Sequence, residues 1–291
     1  MAIFKATLQT AEYRLLCQSF KEWLRLLGYS PLSIPALTLR VNHFLRYQEG
    51  QGKICLAQLE PRDAGDFIGS VQENKNVSHG HVNKLVQALN LFSRYARETA
   101  RNEIGFTLQR LPTITVPPVW LTPPEVQSLY DVTGDSVLGS RDRAMMAVFY
   151  GGGLRLNEGA SLEMKDINRS SKWLHVRKGK HYKERLVPLA TSNYEAIVFY
   201  IEHSRPQLLQ QIKTDALFID VNKGRPLGKQ SLYLRIRQLA KRAKLQKRIG
   251  THTLRHSIAT HLLQSGMKLE RIQQFLGHAH LDSTHLVNDM L

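Results

Sequence analysis

The run His252-Thr-Leu-Arg255-His256-Ser-Ile258-Ala-Thr-His261-Leu262, followed by Phe275-Leu-Gly-His278, places basic side chains where a packed helix would bury apolar ones. Wound as a helix, Leu254, Ile258 and Leu262 form one stripe, and Arg255 falls beside Leu262 rather than on the opposite, solvated face. A guanidinium withdrawn from water and left unpaired is strongly unfavourable, so an anionic partner is expected, and no Asp or Glu lies within the same turns. His252 stands one turn before Arg255 on the same side. Thr251 is read as the N-cap, which puts both basic groups in the first turns, where free N–H groups and the helix dipole favour negative charge. The chemistry these residues imply is the holding of an anion.

Composition makes that anion large. The 291 residues carry 40 Lys and Arg against 24 Asp and Glu, a formal net charge of +16. This is the electrostatic footprint of a nucleic-acid binder, shared with ribosomal-type and membrane-surface proteins. No apolar run approaches the length of a membrane span, and Met1-Ala-Ile-Phe-Lys5 lacks a signal-peptide core. A cytoplasmic location with no membrane partner is therefore expected. Cys17 and Cys55 have no CxxC spacing and read as buried thiols of a reducing compartment rather than a disulfide framework.

The elements that must position these residues fall into two groups. Apolar spacing predicts helices over 8–27, 33–49, 61–73 and 79–101, separated by breaks at Gly28-Tyr-Ser-Pro31, Gly50-Gln-Gly52 and Asn74-Lys-Asn76. The last helix carries His81, Lys84, Arg94, Arg97 and Arg101, and Lys84 and Arg94 are read as DNA contacts on a basic face. Residues 1–105 thus form a helical domain. Pro112, Pro117 and Pro118 interrupt a stretch without periodicity, and 106–121 reads as a linker. Thr122-Pro-Pro-Glu125 is a capping box that opens a second domain, 122–291.

In that domain an apolar helix over 141–150 stops at Gly151-Gly-Gly153, a glycine run that alone is a weak signal for a phosphate cradle. Trp173–Arg177 and Glu184–Pro188 alternate apolar and polar residues and read as two strands. They flank the basic turn Lys178-Gly-Lys180-His-Tyr182-Lys183, either a solvated loop or a groove reader. Further helices are expected near 191–204, 230–243, 252–265 and 268–276.

Taken together, Gly153-Leu-Arg155-Leu-Asn-Glu158, the hairpin Gly179-Lys180-His-Tyr-Lys-Glu-Arg185-Leu-Val-Pro188, His252-Thr-Leu-Arg255-His256 and Leu276-Gly-His278 resemble the catalytic domain of the tyrosine recombinases, in particular the Xer and phage-integrase branch. The resemblance rests on the order and spacing of these motifs and covers the second domain. It reaches the first domain through architecture only.

What it implies is a mainly α protein with a small antiparallel β-sheet, a helical core-binding (SAM-like) N-terminal domain and a catalytic domain of the DNA breaking–rejoining fold. The two would close as a clamp on double-stranded DNA and work as a homo-tetramer on two DNA sites. Arg155 and Arg255 match the pair that neutralises the phosphoryl transition state through planar, multidentate hydrogen bonds. His252 and His278 match two further active-site positions that donate hydrogen bonds to the phosphate, His252 also assisting proton transfer. Lys180 matches the hairpin lysine that protonates the departing 5′ oxygen, with Lys178 as the alternative register. Glu158 matches a supporting acidic position, and Lys178, Lys183 and Arg185 read as DNA contacts. No metal or other cofactor is expected, because the arginines take the electrostatic role that Mg²⁺ fills elsewhere.

The resemblance places the nucleophilic tyrosine nine residues after the second histidine, and that position is Val287. No tyrosine follows Tyr233. Valine forms no phosphotyrosyl bond, so a chain that holds the scissile phosphate without cleaving it is expected, and its C-terminal segment reads as short. A substitute nucleophile from Tyr182 or Tyr233 would demand a large rearrangement. Two rival readings stand beside this one. His252 and His256 at i, i+4 have the spacing of a zinc chelate, but the run lacks the Glu of HExxH and sets the cation Arg255 between the ligands. A non-catalytic DNA-binding accessory is the stronger rival.

Overall fold

The computed structural model describes residues 7–73, 77–99, 105–113, 118–177, 184–209, 212–222 and 224–277. It divides the chain into two units, Met1–Thr115 and Val116–Leu291. Lys178, Lys180, Tyr182, Lys183, His278 and Val287 lie outside the described residues.

In the first unit Tyr13, Leu16, Cys17, Phe20 and Leu24 recur at helical spacing along Ala11–Leu26 (α1), and all five are buried. They meet α2 (Ile34–Gly50), α3 (Pro61–Gln72) and α4 (His79–Glu98) in one core. Phe20, Phe44 and Phe92 lock it, with Phe92 edge-on to Phe20 at 5.7 Å between ring centroids and to Phe44 at 6.4 Å. Ser78 caps α4 by accepting a hydrogen bond from the backbone N–H of His81. The observed helices end one to three residues inside some of the expected bounds, as fraying at termini dictates.

The stretch read as the start of a linker is instead fastened to α4. The Asn90 side chain pairs with both the N–H and the carbonyl of Leu108, and Asn83 does the same for Leu111. Ser93 Oγ accepts from the Phe106 N–H, and the Phe106 ring is buried in the core. Such amide ladders satisfy an extended backbone without any helical periodicity, which is why the sequence reads as a tether there. Past the prolines, Leu121 is fully buried in the second unit and donates its N–H to Ser257 Oγ at 2.8 Å.

The second unit opens at the expected capping box: the Thr122 side chain accepts from the Glu125 N–H, and Glu125 accepts from the Thr122 N–H, starting α5 (Pro123–Asp131). Helix α6 (Val137–Met146) begins earlier than expected because Ser136 caps it, and it continues as a π-helical turn, Ala147–Gly151, rather than as α-helix to Tyr150. Ala147, Val148 and Phe149 of that turn are fully buried at the centre of the core. After α7 (Leu156–Ala160) comes a three-stranded antiparallel sheet ordered β1 (Ile167–Asn168), β2 (Trp173–Val176), β3 (Arg185–Pro188). The first strand is too short to show an alternating pattern in sequence. Leu174 faces Val187 across β2 and β3 and both are fully buried. Helix α8 (Thr191–Phe199) runs on through a π turn into α9 (Arg205–Leu208). Helices α10 (Lys229–Arg242), α11 (Thr251–Gln264) and α12 (Leu269–Leu276) complete the unit. The mainly α fold with a small antiparallel sheet is therefore as expected. No helix among the described residues is long and apolar enough to cross a membrane.

Candidate functional site

Three separated segments bring their basic residues together through glycine geometry. Gly153 takes φ +60°, a left-handed conformation that an L side chain resists, and a Cβ there would stand 2.9 Å from Leu276 and 3.1 Å from Phe275. The close approach lets the chain turn from the π segment into α7 with Arg155 as its N-cap. Gly277 takes φ +65° and ends α12 in a left-handed cap, which exposes the last carbonyls of that helix. Gly250, not Thr251, is the N-cap of α11; Thr251 is the first helical residue and is buried, while the Gly250 N–H donates to Thr253 Oγ1.

Arg255 is buried, as its position beside the stripe implies. Its partner is not the lone anion expected. It donates to the Gly153 carbonyl at 2.5 Å and the Leu276 carbonyl at 2.6 Å, and Glu158 Oε2 lies 3.9 Å away. Burial first, then the neighbouring charge of Arg155, push its pKa down to about 9, which still leaves it a cation at neutral pH. Arg155 donates to Glu158 at 2.9 Å and to the Leu276 and Gly277 carbonyls at 3.5 and 3.3 Å. Its side chain keeps 19% of its surface open, against 6% for Arg255. The two guanidiniums thus share the C-terminal carbonyl fringe of α12.

Glu158 is the hub beneath them. Its Oε1 accepts from Arg155 and Arg185, and its Oε2 accepts from the Arg155 backbone N–H at 2.8 Å and from Arg185 at 2.9 Å. Burial would raise its pKa, but the hydrogen bonds and charge of Arg185, and then the bonds from Arg155, bring it below the ordinary carboxylate value. Glu158 thus ties the Arg155 and Arg185 side chains to one buried carboxylate.

Arg185 corrects the sequence reading. Taken there as a DNA contact, its side chain is only 8% exposed, clamped on Glu158 with its Nε donating to the Phe275 carbonyl at 2.9 Å. The signal was present in strand alternation: Arg185 and Val187 share one face, and Val187 is in the core.

His252 is exposed at the mouth of this cluster. Crowding by the protein, then the charges of Arg255 and Arg155, lower its pKa, so the imidazole is neutral at pH 7. It lines a recess of about 380 Å³ with Leu156, Tyr233, Arg248 and Thr251. Lys84 is exposed on α4 and in no ion pair among the described residues. Arg94 is exposed as well, but pairs with Glu98 at 2.7 Å and lies over the Trp23 ring. Sequence reading missed one basic group: Arg237, Lys241, Lys247 and Arg248 line a second recess of about 360 Å³ beside α10. The charge run Lys241-Arg-Ala-Lys-Leu-Gln-Lys-Arg248 was the available signal. Among the described residues no group of three or more His, Cys, Asp or Glu side chains is placed to hold a metal ion.

A fold of this kind is shared with solved DNA-recombination proteins. The Tn1549 transposon integrase in complex with circular intermediate DNA aligns with a TM-score of 0.73 at 22% identity, covering 94% of each chain. XerH site-specific recombinase bound to difH substrate aligns with a TM-score of 0.70 at 22% identity, over 88% of this chain and 77% of that one. In sequence, the Phage integrase family pattern matches residues 119–288, more than half of the chain, and the chain belongs to that family. The tyrosine recombinase XerD of Staphylococcus saprophyticus subsp. saprophyticus is 41% identical over 148 residues, 51% of this chain and 50% of the relative. That of Staphylococcus aureus strain Mu50 is 40% identical over 152 residues, 52% of this chain and 51% of the relative. The match spans about half the length of these relatives.

Proposed function

We propose that this chain is a site-specific recombinase or integrase of the tyrosine type that grips duplex DNA and holds one backbone phosphate between Arg155, Arg255 and His252. The observation that carries this reading is the meeting of two guanidiniums at the Leu276 carbonyl, Arg155 partly open to solvent and Arg255 buried, beside a single carboxylate, Glu158, that Arg155 shares with a third guanidinium, Arg185. A phosphodiester oxygen arriving at Arg155 meets a cluster of three guanidiniums that the one carboxylate Glu158 balances only in part, and planar N–H groups suit its oxygens. Neutral His252 offers a ring N–H to the same phosphate, or a lone pair to an attacking hydroxyl. Lys180, with Lys178 as the alternative, completes the set as the acid for the leaving oxygen, and His278 adds a further donor. Lys84 and Arg94 of the first unit, Lys178 and Lys183 of the hairpin, and the basic group around Arg237 and Lys241 contact the backbone elsewhere. Assembly is as a homo-tetramer on two DNA sites, and the chemistry needs no metal. The first unit, with the strap 106–111 fastened to it, is the core-binding domain, and the catalytic domain is 122–291.

Val287 at the nucleophile position favours a second reading beside this one: a chain that binds and polarises the phosphate but leaves the strand intact, as an accessory or degenerate relative. Incubation with a nicked suicide DNA site separates the two. The cleavage-deficient reading expects bound DNA and no covalent protein–DNA band, and a covalent band from the unaltered chain overturns it.

A further inference from the structure

We propose that Arg185 is a positioning residue that takes half of the acceptor sites of Glu158, so that Arg155 is drawn only in part, and Arg255 not at all, into hydrogen bonds with that carboxylate and both remain available to an incoming phosphate. The inference rests on reading Arg155 and Arg255 as the phosphate grip.

A carboxylate offers about four lone-pair sites. At Glu158 two are filled by Arg185 through Nη1 at 3.1 Å and Nη2 at 2.9 Å, and two by Arg155, one from its side chain and one from its backbone N–H. Arg185 contributes half of that saturation and is only 8% exposed, with its Nε also used on the Phe275 carbonyl. It is thus unlike the other two arginines: Arg155 divides its donors between Glu158 and helix-end carbonyls, and Arg255 approaches Glu158 only at 3.9 Å. Three guanidiniums against one carboxylate leave the cluster doubly positive, and the bidentate Arg185–Glu158 pair fixes where that excess sits.

Without Arg185 the carboxylate has two vacant sites in a buried place, where an unpaired acceptor is costly. The nearest donors able to fill them belong to Arg155 and Arg255. Both would turn inward and the cluster would drop to a single positive charge. Arg185 also ties β3 to the end of α12 through Phe275, so the same side chain holds the carbonyl fringe against which the two gripping arginines are aimed.

The test follows the His252 ring by NMR in the full chain, titrated with pH and with inorganic phosphate as the probe. Wild type is expected to bind phosphate with a shift of the His252 signal. Arg185→Met is expected to weaken phosphate binding by roughly tenfold, the scale of one charge at the protein surface, and to raise the His252 pKa. The double variant Glu158→Gln/Arg185→Met restores the charge difference and removes a buried pair rather than breaking one, so it folds and returns both quantities close to wild type. Glu158→Gln alone lowers the His252 pKa further, a prediction that survives if Arg185→Met fails to fold. A merely structural strut predicts no such rescue and no such ordering. Equal phosphate affinity and equal His252 pKa in wild type and all folded variants overturn the role of Arg185 while leaving the grip intact. No response of wild-type His252 to phosphate overturns the grip itself, and this inference with it.

Discussion

Arg255 shows how a single buried cation is tolerated: two carbonyls, from Gly153 and Leu276, take its donors, and Glu158 balances its charge at longer range. Arg255→Met is therefore expected to remove the Arg255 donor from the Gly153 carbonyl and leave the Leu276 carbonyl only its longer bond from Arg155, destabilising the fold by about 1–3 kcal/mol, read by thermal or denaturant unfolding. Arg255→Lys keeps the charge but cannot reach two carbonyls on different segments with one ammonium, so it too loses stability and weakens DNA binding. A lysine variant as stable as wild type would show that the forked geometry is not what the site requires. At this scale the sequence was informative about which side chains are anomalous and silent about their partners. Arg255 announced itself by its place beside an apolar stripe, whereas its carbonyl partners belong to no residue type and leave no mark in a sequence. Arg185 was misread for a related reason. Its charge suggested solvent, while the alternation of β3, which puts it on the face of Val187, pointed inward.

The elements divide into those whose periodicity betrays them and those held by local exceptions. α1, α4 and α12 carry regular apolar faces and lie where spacing predicts them. The π turn at Ala147–Gly151, the two-residue strand β1 and the strap fastened by Asn83 and Asn90 have no repeating pattern to read. Gly153 is one of these exceptions with a functional consequence, since it sets the direction of Arg155. Gly153→Ala is expected to cost at least about 1–2 kcal/mol for the left-handed backbone, with a further cost for the Cβ contact to Leu276, and to reduce phosphate binding along with stability. Stability unchanged from wild type would show that the turn has another solution. The strap is tested in the first unit alone: Asn90→Ala removes the partner of the Leu108 amide, and hydrogen exchange at that amide is expected to accelerate far more than at amides in the middle of α4. Protection that persists there would mean that Phe106 and its neighbours hold the strap without the amide ladder.

Across the whole molecule the titrating groups act in one direction. His43, His252, His256 and His261 all have lowered pKa values, each chiefly through loss of hydration among neighbouring protein atoms, which for the exposed His252 is partial and is joined by the charges of Arg255 and Arg155. The unfolded chain then binds more protons than the folded one as pH falls through the ordinary histidine value near 6.5. Glu49, Glu125 and Glu158 are also lowered: burial opposes this, and hydrogen bonds and nearby cations prevail. Their contribution is present above the ordinary carboxylate range and is lost as pH falls through it. Stability is thus expected to decline from pH 7 toward pH 5 and to decline further below, and a melting temperature that rises on acidification would contradict these assignments. The net charge of +16 supplies the remaining and most direct prediction. Binding of labelled duplex DNA, followed by fluorescence anisotropy over a range of salt concentrations, should give a logarithm of affinity that falls linearly with the logarithm of salt, by about 0.9 for each phosphate neutralised, and replacing Arg155 with Ala should reduce that slope by about one contact. Affinity that stays constant from low to moderate salt, or a slope untouched by loss of Arg155, would contradict the account of this chain as a grip on the DNA phosphate.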